Sequence, residues 1–190
     1  MADRPESVFQ TMLTSLYLPR QKAIAAILIG VAATGTAIFW APHQPLPASL
    51  LLAFALVWAS MVDLDRMILP NLITLGLVVA GLLQAALTGE LQVLDRVIGA
   101  TAGYLSLILV AYAFRRIRGK DGLGQGDAKL LAAGGAWTGW AALPTIVLVA
   151  SAVALLAIGG LVVAKRLDKD QAMAFGPFIA FGIWSTWLYE

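Results

Sequence analysis

Seven apolar stretches follow one another along the chain, separated by short segments rich in Gly, Pro and charged residues. The stretches lie near residues 22–41, 47–63, 71–88, 96–114, 127–141, 143–164 and 173–189. A helix of about 20 apolar residues spans the hydrocarbon layer of a bilayer, and Gly- and Pro-containing segments are typical of turns between helices. The pattern therefore predicts an all-α fold, a polytopic bundle of about seven transmembrane helices.

The composition supports this prediction, because 60% of the residues are hydrophobic and only 13% are charged. These proportions lie far from those of a soluble domain. We divide the chain into an N-terminal segment, residues 1–21, and a transmembrane domain, residues 22–190. Residues 1–20 lack the pattern of a signal peptide, and residues 8–18 are a candidate interfacial helix.

The distribution of basic residues predicts the orientation in the membrane. Of the 13 Lys and Arg residues, only Arg96 falls on the opposite side of the predicted bundle from the others. Connections rich in Lys and Arg face the cytoplasm. The N-terminus, the connection after the second stretch, the connection after the fourth stretch and the segment 165–171 are therefore predicted to be cytoplasmic, with Glu190 outside.

Two polar segments, residues 61–71 and 122–130, each place an aspartate at the end of an apolar stretch. Ionisable groups in membrane segments are costly and mark ion paths, proton relays or active sites. Of two neighbouring carboxyl groups, an ionised one can take a proton from water while a protonated one donates to a carbonyl. Asp63 and Asp127 are therefore candidate catalytic residues for peptide hydrolysis, and helix capping is the structural alternative for both.

Several residues beside the two aspartates are candidates for shaping the site. Gly124 and Gly126 have no side chains to obstruct an approaching peptide backbone. Pro70 and Asn71 are predicted to begin a helix after a tight reversal. Asp65 is a further candidate for shaping the site, and the alternative is that it is a solvated surface charge beside Arg66.

Lys129, two residues after Asp127, allows three interpretations: it favours an ionised carboxylate, binds a lipid phosphate, or only sets the topology. Gly176 and Pro177 are expected to break or kink the last helix, which would also open space beside the aspartates. Trp137 and Trp140 fit an aromatic belt at the far interface.

Other kinds of chemistry find little support in the sequence. The chain has no cysteine and one histidine, His43, so disulfides and Cys-ligated zinc are excluded, and we predict neither a metal nor a cofactor. His43 falls in a predicted external connection, away from any cytoplasmic serine. The arginines at 115, 116 and 118 are interpreted as a lipid anchor, and no nucleic-acid partner is expected.

Three segments together resemble the motifs of the type IV prepilin peptidases, a bacterial branch of the Gly-x-Gly-Asp intramembrane aspartyl proteases. They are residues 62–71, 119–130 and 175–178, and the resemblance covers roughly residues 45–190. It implies that Asp63 and Asp127 are the catalytic pair and that Gly124 and Gly126 complete the signature. Asp65 falls at a position that the family does not reserve for catalysis.

The resemblance also implies a substrate and a location. The substrate is a prepilin or pseudopilin precursor, cleaved at the cytoplasmic face of the bacterial inner membrane between a glycine and the first residue of its hydrophobic helix. A basic leader would be met by anionic lipid or by acidic residues: Asp65, Asp121, Asp168 and Asp170. Larger members add a methyltransferase region with paired Cys-x-x-Cys motifs, so this cysteine-free chain resembles a peptidase-only member. N-methylation of the product and the oligomeric state are left open.

Two functions of other classes remain as alternatives. A transporter would relay protons or cations through Asp63 and Asp127. Against it, both aspartates are predicted at one face of the membrane, and the sequence shows no inverted repeat. The second alternative is a non-catalytic scaffold for pilus or secretion assembly.

Overall fold

The computed structural model describes residues 20–40, 44–87, 89–119, 124–163 and 173–189, and these residues form seven α-helices and no strands. The all-α prediction is confirmed, and each predicted stretch corresponds to one helix. The helices are α1 (Arg20–Trp40), α2 (Leu46–Arg66), α3 (Asn71–Ala86), α4 (Glu90–Arg118), α5 (Gln125–Thr138), α6 (Leu143–Val163) and α7 (Gly176–Tyr189). The expectations for residues 1–19, His43, Asp121 and residues 164–172 lie outside the described residues.

Three of the described helices are long and apolar enough to cross a membrane, namely α2, α4 from Leu91 onward, and α6 as far as Gly160. Two shorter apolar helices lie at Ala25–Ile38 and within α3. Many large apolar side chains of these five helices are exposed on the outside of the bundle, as expected for helices that contact lipid. The chain is a membrane protein.

A four-residue reversal joins α2 to α3. Met67 follows α2 in the left-handed region with φ 53°, and its N–H donates to the Asp63 carbonyl at 2.7 Å. Pro70 precedes α3, where its carbonyl accepts the N–H groups of Ile73 and Thr74, each at 3.1 Å. Leu69 and Pro70 are buried, so the reversal is packed into the bundle. Asp63 and Asn71 are thereby brought to the same end of the molecule.

The short helix α5 occupies the centre of the bundle, between α3, α4 and α7. Every residue from Leu130 to Thr138 is buried. Glycines on α4 allow its backbone to touch that of α5. A Cβ on Gly99 would lie 2.5 Å from the Gly135 carbonyl oxygen. A Cβ on Gly103 would lie 2.7 Å from the Leu131 carbonyl oxygen. Helix α5 has 14 residues and is therefore about 21 Å long. Asp127 is its third residue, so this carboxyl group lies at one end of the bundle.

The prediction that Trp137 belongs to an interfacial aromatic belt is wrong. Trp137 is 1% exposed because α5 is enclosed on several sides, and its indole N–H donates to the Leu77 carbonyl at 2.8 Å. Its ring meets Trp187 edge to face at 5.4 Å, and Trp187 in turn donates to Ser49 Oγ at 3.0 Å. Trp140, beyond the end of α5, is exposed.

Candidate active site

Four chain segments meet around a cavity of about 210 Å³ at one end of the bundle. The end of α2, the reversal, the start of α3 and the start of α5 all contribute to it. Asp63 and Asp127 both line this cavity, although 64 positions separate them in the sequence. The remaining lining residues are Met67, Ile68, Leu69, Asn71, Gly124, Gln125, Gly126 and Lys129.

Asp63 reaches the cavity from the inward face of α2. It lies four and seven residues after Ala59 and Leu56, which belong to the apolar core on the same helix face. The side chain is 5% exposed, and its Oδ2 accepts the backbone N–H of Gly176 at 3.0 Å. A Cβ on Gly176 would lie 2.6 Å from that oxygen, so a side chain there would displace the carboxyl group.

Asp127 is the third residue of α5 and is 8% exposed. Its Oδ2 accepts the N–H of Gly124 at 3.3 Å, and its own N–H donates to the Gly124 carbonyl at 3.2 Å. The residue that precedes the helix as its N-cap is thus Gly124, and Asp127 caps α5 from within the first turn. The positive end of the helix dipole favours a negative charge at this position.

The two carboxyl groups interact electrostatically with each other. Among the described residues, each accepts one backbone N–H from a glycine: Asp127 from Gly124, the N-cap of its own helix, and Asp63 from Gly176, the first residue of α7. Burial excludes water from most of their surface, so the second charge of an ionised pair is poorly screened. The cavity beside them has space for a water molecule and a peptide group.

Gly126 has a packing role that the sequence did not indicate. A Cβ at this position would lie 2.8 Å from the Leu69 Cβ, so the glycine lets the first turn of α5 lie directly on the buried reversal. A Cβ on Gly124 would lie closest to Asp127 Oδ2, at 3.4 Å. Gly124 is exposed and lines the cavity, so no side chain covers the backbone at this point.

Lys129 and Asn71 join two of the segments at the rim of the cavity. The Lys129 Nζ donates to the Asn71 Oδ1 at 2.7 Å, which ties the first turn of α5 to the start of α3. None of the three interpretations of Lys129 included this contact. Pro70, immediately before Asn71, is buried behind the rim.

The expectation that Gly176 and Pro177 break or kink the last helix is wrong, because α7 begins at Gly176. Proline is tolerated in the first turn of a helix, where its missing N–H is not needed. Gly176 contacts Asp63 directly, whereas Asp65 is exposed and does not line the cavity.

Sequence reasoning missed the apolar part of the cavity wall, Met67, Ile68 and Leu69. A run of three apolar side chains within a polar connection was the available signal. The part of the chain that the structure describes holds no group of three or more His, Cys, Asp or Glu side chains placed to bind a metal ion.

Comparison with known proteins adds an independent observation. The sequence model described as "Type IV leader peptidase family" matches residues 50–161, which include both aspartates. Prepilin leader peptidase/N-methyltransferases are similar to this chain. The protein from Aeromonas hydrophila is 40% identical over 166 residues, which cover 87% of this chain and 57% of the relative.

Two further relatives carry the same name. The protein from Aeromonas salmonicida (strain A449) is 44% identical, with 75% of this chain and 49% of the relative covered. The protein from Pectobacterium carotovorum subsp. carotovorum is 39% identical, with 85% and 58% covered. The chain spans about half the length of these curated relatives, and no solved structure is significantly similar to it. The family match covers more than half of the chain, and the chain therefore belongs to the type IV leader peptidase family.

Proposed function

We propose that this protein is a membrane aspartyl endopeptidase that removes the short basic leader from prepilin or pseudopilin precursors. The observation that carries the proposal is the cavity at which Asp63 and Asp127 meet, each held by a glycine N–H. The family match and the names of the relatives supply the substrate class. We assign only the peptidase reaction to this chain, since it has no cysteine for paired Cys-x-x-Cys motifs.

In the proposed reaction, one aspartate is ionised and the other is protonated. The ionised carboxylate takes a proton from a water molecule, whose oxygen attacks the carbonyl carbon of the scissile peptide bond. The protonated carboxyl donates its proton to the carbonyl oxygen, giving a neutral tetrahedral diol. The C–N bond then breaks as the nitrogen receives a proton from the newly protonated aspartate and the diol returns a proton to the other carboxylate. The products are a leader carboxylic acid and a free amine.

The asymmetry of basic residues supports placing this reaction at the cytoplasmic face of a bacterial inner membrane. Arg66, Lys129 and the arginines at the end of α4 lie at the cavity end of their helices, whereas Arg96 lies near the opposite end of α4. Connections with more Lys and Arg remain in the cytoplasm. A leader that stays cytoplasmic would then reach the aspartates without crossing the bilayer.

A cleavage assay in cells tests the proposed function. A tagged precursor with a basic leader and a Gly-Phe junction is expressed with the native chain, Asp63→Asn, Asp127→Asn or Asp95→Asn. Asn retains an acceptor oxygen for the glycine N–H, so the two site variants should reach normal membrane levels but leave the precursor uncleaved. Asp95 lies beside Gly139, at the other end of α5 from Asp127, and its variant should cleave like the native chain.

The mobility of the product on a gel and its N-terminal sequence are the readouts. Cleavage by either site variant at a near-native rate would contradict the catalytic assignment. If the native chain leaves every such precursor intact, the proposed function fails, and the transporter and scaffold alternatives take its place.

A further inference from the structure

A second, larger cavity lies on the side of the bundle, between α1, α2 and α7. We call it the α1–α2–α7 groove; its volume is about 490 Å³, and its lining includes Ile29, Ala33, Ser60, Leu64, Pro177 and Phe181. Leu64 is 62% exposed and Phe181 is 51% exposed. The groove therefore opens laterally, toward the membrane, and not only toward the end of the bundle.

The polar groups in the groove are already paired within the protein. The Ser60 hydroxyl donates to the Leu56 carbonyl at 2.8 Å. The Thr36 hydroxyl donates to the Ala33 carbonyl at 2.6 Å and accepts the Trp184 indole N–H at 3.3 Å. Since these groups are satisfied, the groove matches an occupant whose surface is apolar.

One end of the groove lies beside Asp63. Ser60 precedes Asp63 by three residues on α2 and Leu64 follows it directly, while Pro177 follows Gly176, whose N–H donates to the Asp63 carboxyl group. From Pro177 to Trp184, α7 runs along the groove for about 10 Å, which is about two helical turns. An occupant of the groove thus has one end at the candidate catalytic residue.

Another large apolar pocket adjoins the candidate site on α3, where its residue Leu72 follows Asn71, but on α2 it faces away from Asp63. It has a volume of about 570 Å³ and lies between α2 and α3. Of its residues on α2, the nearest to Asp63 in sequence is Trp58, which is about 140° around the helix from Asp63. Ser60, in the α1–α2–α7 groove, is only about 60° away.

We propose that the α1–α2–α7 groove holds the apolar membrane segment of the peptide whose scissile bond lies between Asp63 and Asp127. This proposal rests on the proposed peptidase function and adds a docking surface to it. A peptide bond at Asp63 places the adjoining chain beside the end of the groove, where Ser60, Leu64 and Pro177 lie. An apolar segment can enter from the bilayer, where Leu64 and Phe181 are exposed, and its position in the groove then fixes which peptide bond reaches the carboxyl groups.

Photo-crosslinking in membranes tests the docking surface directly. Benzoylphenylalanine replaces Phe181 in a chain that also carries Asp127→Asn, so that the precursor is bound without being cleaved. Two matched positions serve as controls: Leu148, an exposed residue of α6 outside the groove, and Leu72, an exposed residue lining the α2–α3 pocket. Cleavage by the native chain is measured in parallel in the same membranes.

We expect a crosslink from position 181 to the apolar segment immediately after the scissile bond, at least tenfold stronger than from positions 148 and 72. Equal crosslinking from position 72, or adducts of position 181 with lipid alone, would overturn the docking surface. Because the native chain is assayed alongside, cleavage without the crosslink rejects only the groove. A crosslink without cleavage keeps the groove and rejects the peptidase function.

A kinetic variant gives a second test that does not depend on the crosslinker. Ala33→Trp fills the groove from α1, on a different helix from either aspartate. It should raise KM for the precursor at least tenfold and leave kcat within about twofold of native, while Leu148→Trp should change neither. An unchanged KM in Ala33→Trp would contradict the proposal.

Discussion

At the residue scale, the two aspartates are distinguished by what holds them. Each carboxyl accepts a backbone N–H from a glycine, and each of these glycines lies where a side chain would crowd or contact the carboxyl group. The sequence predicted both aspartates as candidate catalytic residues, because a carboxylate at the end of an apolar stretch is unusual. The Gly176 contact could not be predicted, since 113 positions separate that residue from Asp63.

Substitution of Gly176 tests whether it positions Asp63. In Gly176→Ala the new methyl group displaces the Asp63 carboxyl, and we expect kcat to fall about 10- to 100-fold with little change in KM. Gly182→Ala on the same helix is the matched control, since its Cβ would meet the Ile146 carbonyl at an equally short 2.6 Å, away from the cavity. Gly182→Ala should lower thermal stability and keep kcat per folded molecule. Equal kcat values for the two variants would contradict the positioning role.

The Lys129–Asn71 hydrogen bond predicts an energetic coupling between α3 and α5. A charge-assisted hydrogen bond at a partly exposed rim contributes about 1 kcal/mol. Unfolding of Asn71→Ala, Lys129→Ala and the double variant in detergent should therefore give a coupling free energy of about 0.5 to 1.5 kcal/mol. Strictly additive losses would show that the contact contributes nothing to stability.

At the scale of helices, α5 departs most from what its sequence suggests. Its length, its glycines and its two nearby tryptophans are compatible with a peripheral helix ending at the membrane interface. The same glycines instead let α4 approach closely, and α3 and α7 cover other faces. Periodicity located the helix within a few residues. It could not show that α5 is enclosed, because enclosure depends on the faces that the other helices present.

The burial of Trp137 leads to a stability prediction at this scale. Trp137→Phe removes the hydrogen bond to the Leu77 carbonyl and part of the edge-to-face contact with Trp187, so we expect a loss of about 1 to 3 kcal/mol in the free energy of unfolding. Trp140→Phe, at an exposed position, should change it by less than about 0.5 kcal/mol. Similar losses in the two variants, measured by denaturation in detergent, would contradict the buried position of Trp137.

At the scale of the whole molecule, the order of helices brings the ends of α2 and α4 and the starts of α3, α5 and α7 to the same end of the bundle. Alternation of apolar stretches with short connections predicts this, since each membrane crossing reverses the chain. The α1–α2–α7 groove could not be predicted from the sequence, because it depends on the distances of α1 from α2 and α7. The sequence specifies the order of the helices more directly than the spaces between them.

The absence of cysteine from the chain makes its orientation directly measurable. Single cysteines at Ile68 and Arg118 should be modified by a membrane-impermeant maleimide only after the cells are opened. Cysteines at Leu87 and Trp140 should be modified in intact cells whose outer membrane is permeabilised. All four positions are exposed, so differences in labelling report the side of the membrane. The reverse pattern would place the aspartates on the outer face and remove the proposed route for the leader.

The central claim is that Asp63 and Asp127 act as one catalytic unit, and its most direct measurement is precursor cleavage by purified protein in lipid nanodiscs. We predict that Asp63→Asn and Asp127→Asn each lower kcat/KM by about 100-fold or more, and that the double variant is no slower than the slower single variant. Asp95→Asn should remain near native. Near-native activity in either single variant, or losses that multiply in the double variant, would contradict the account.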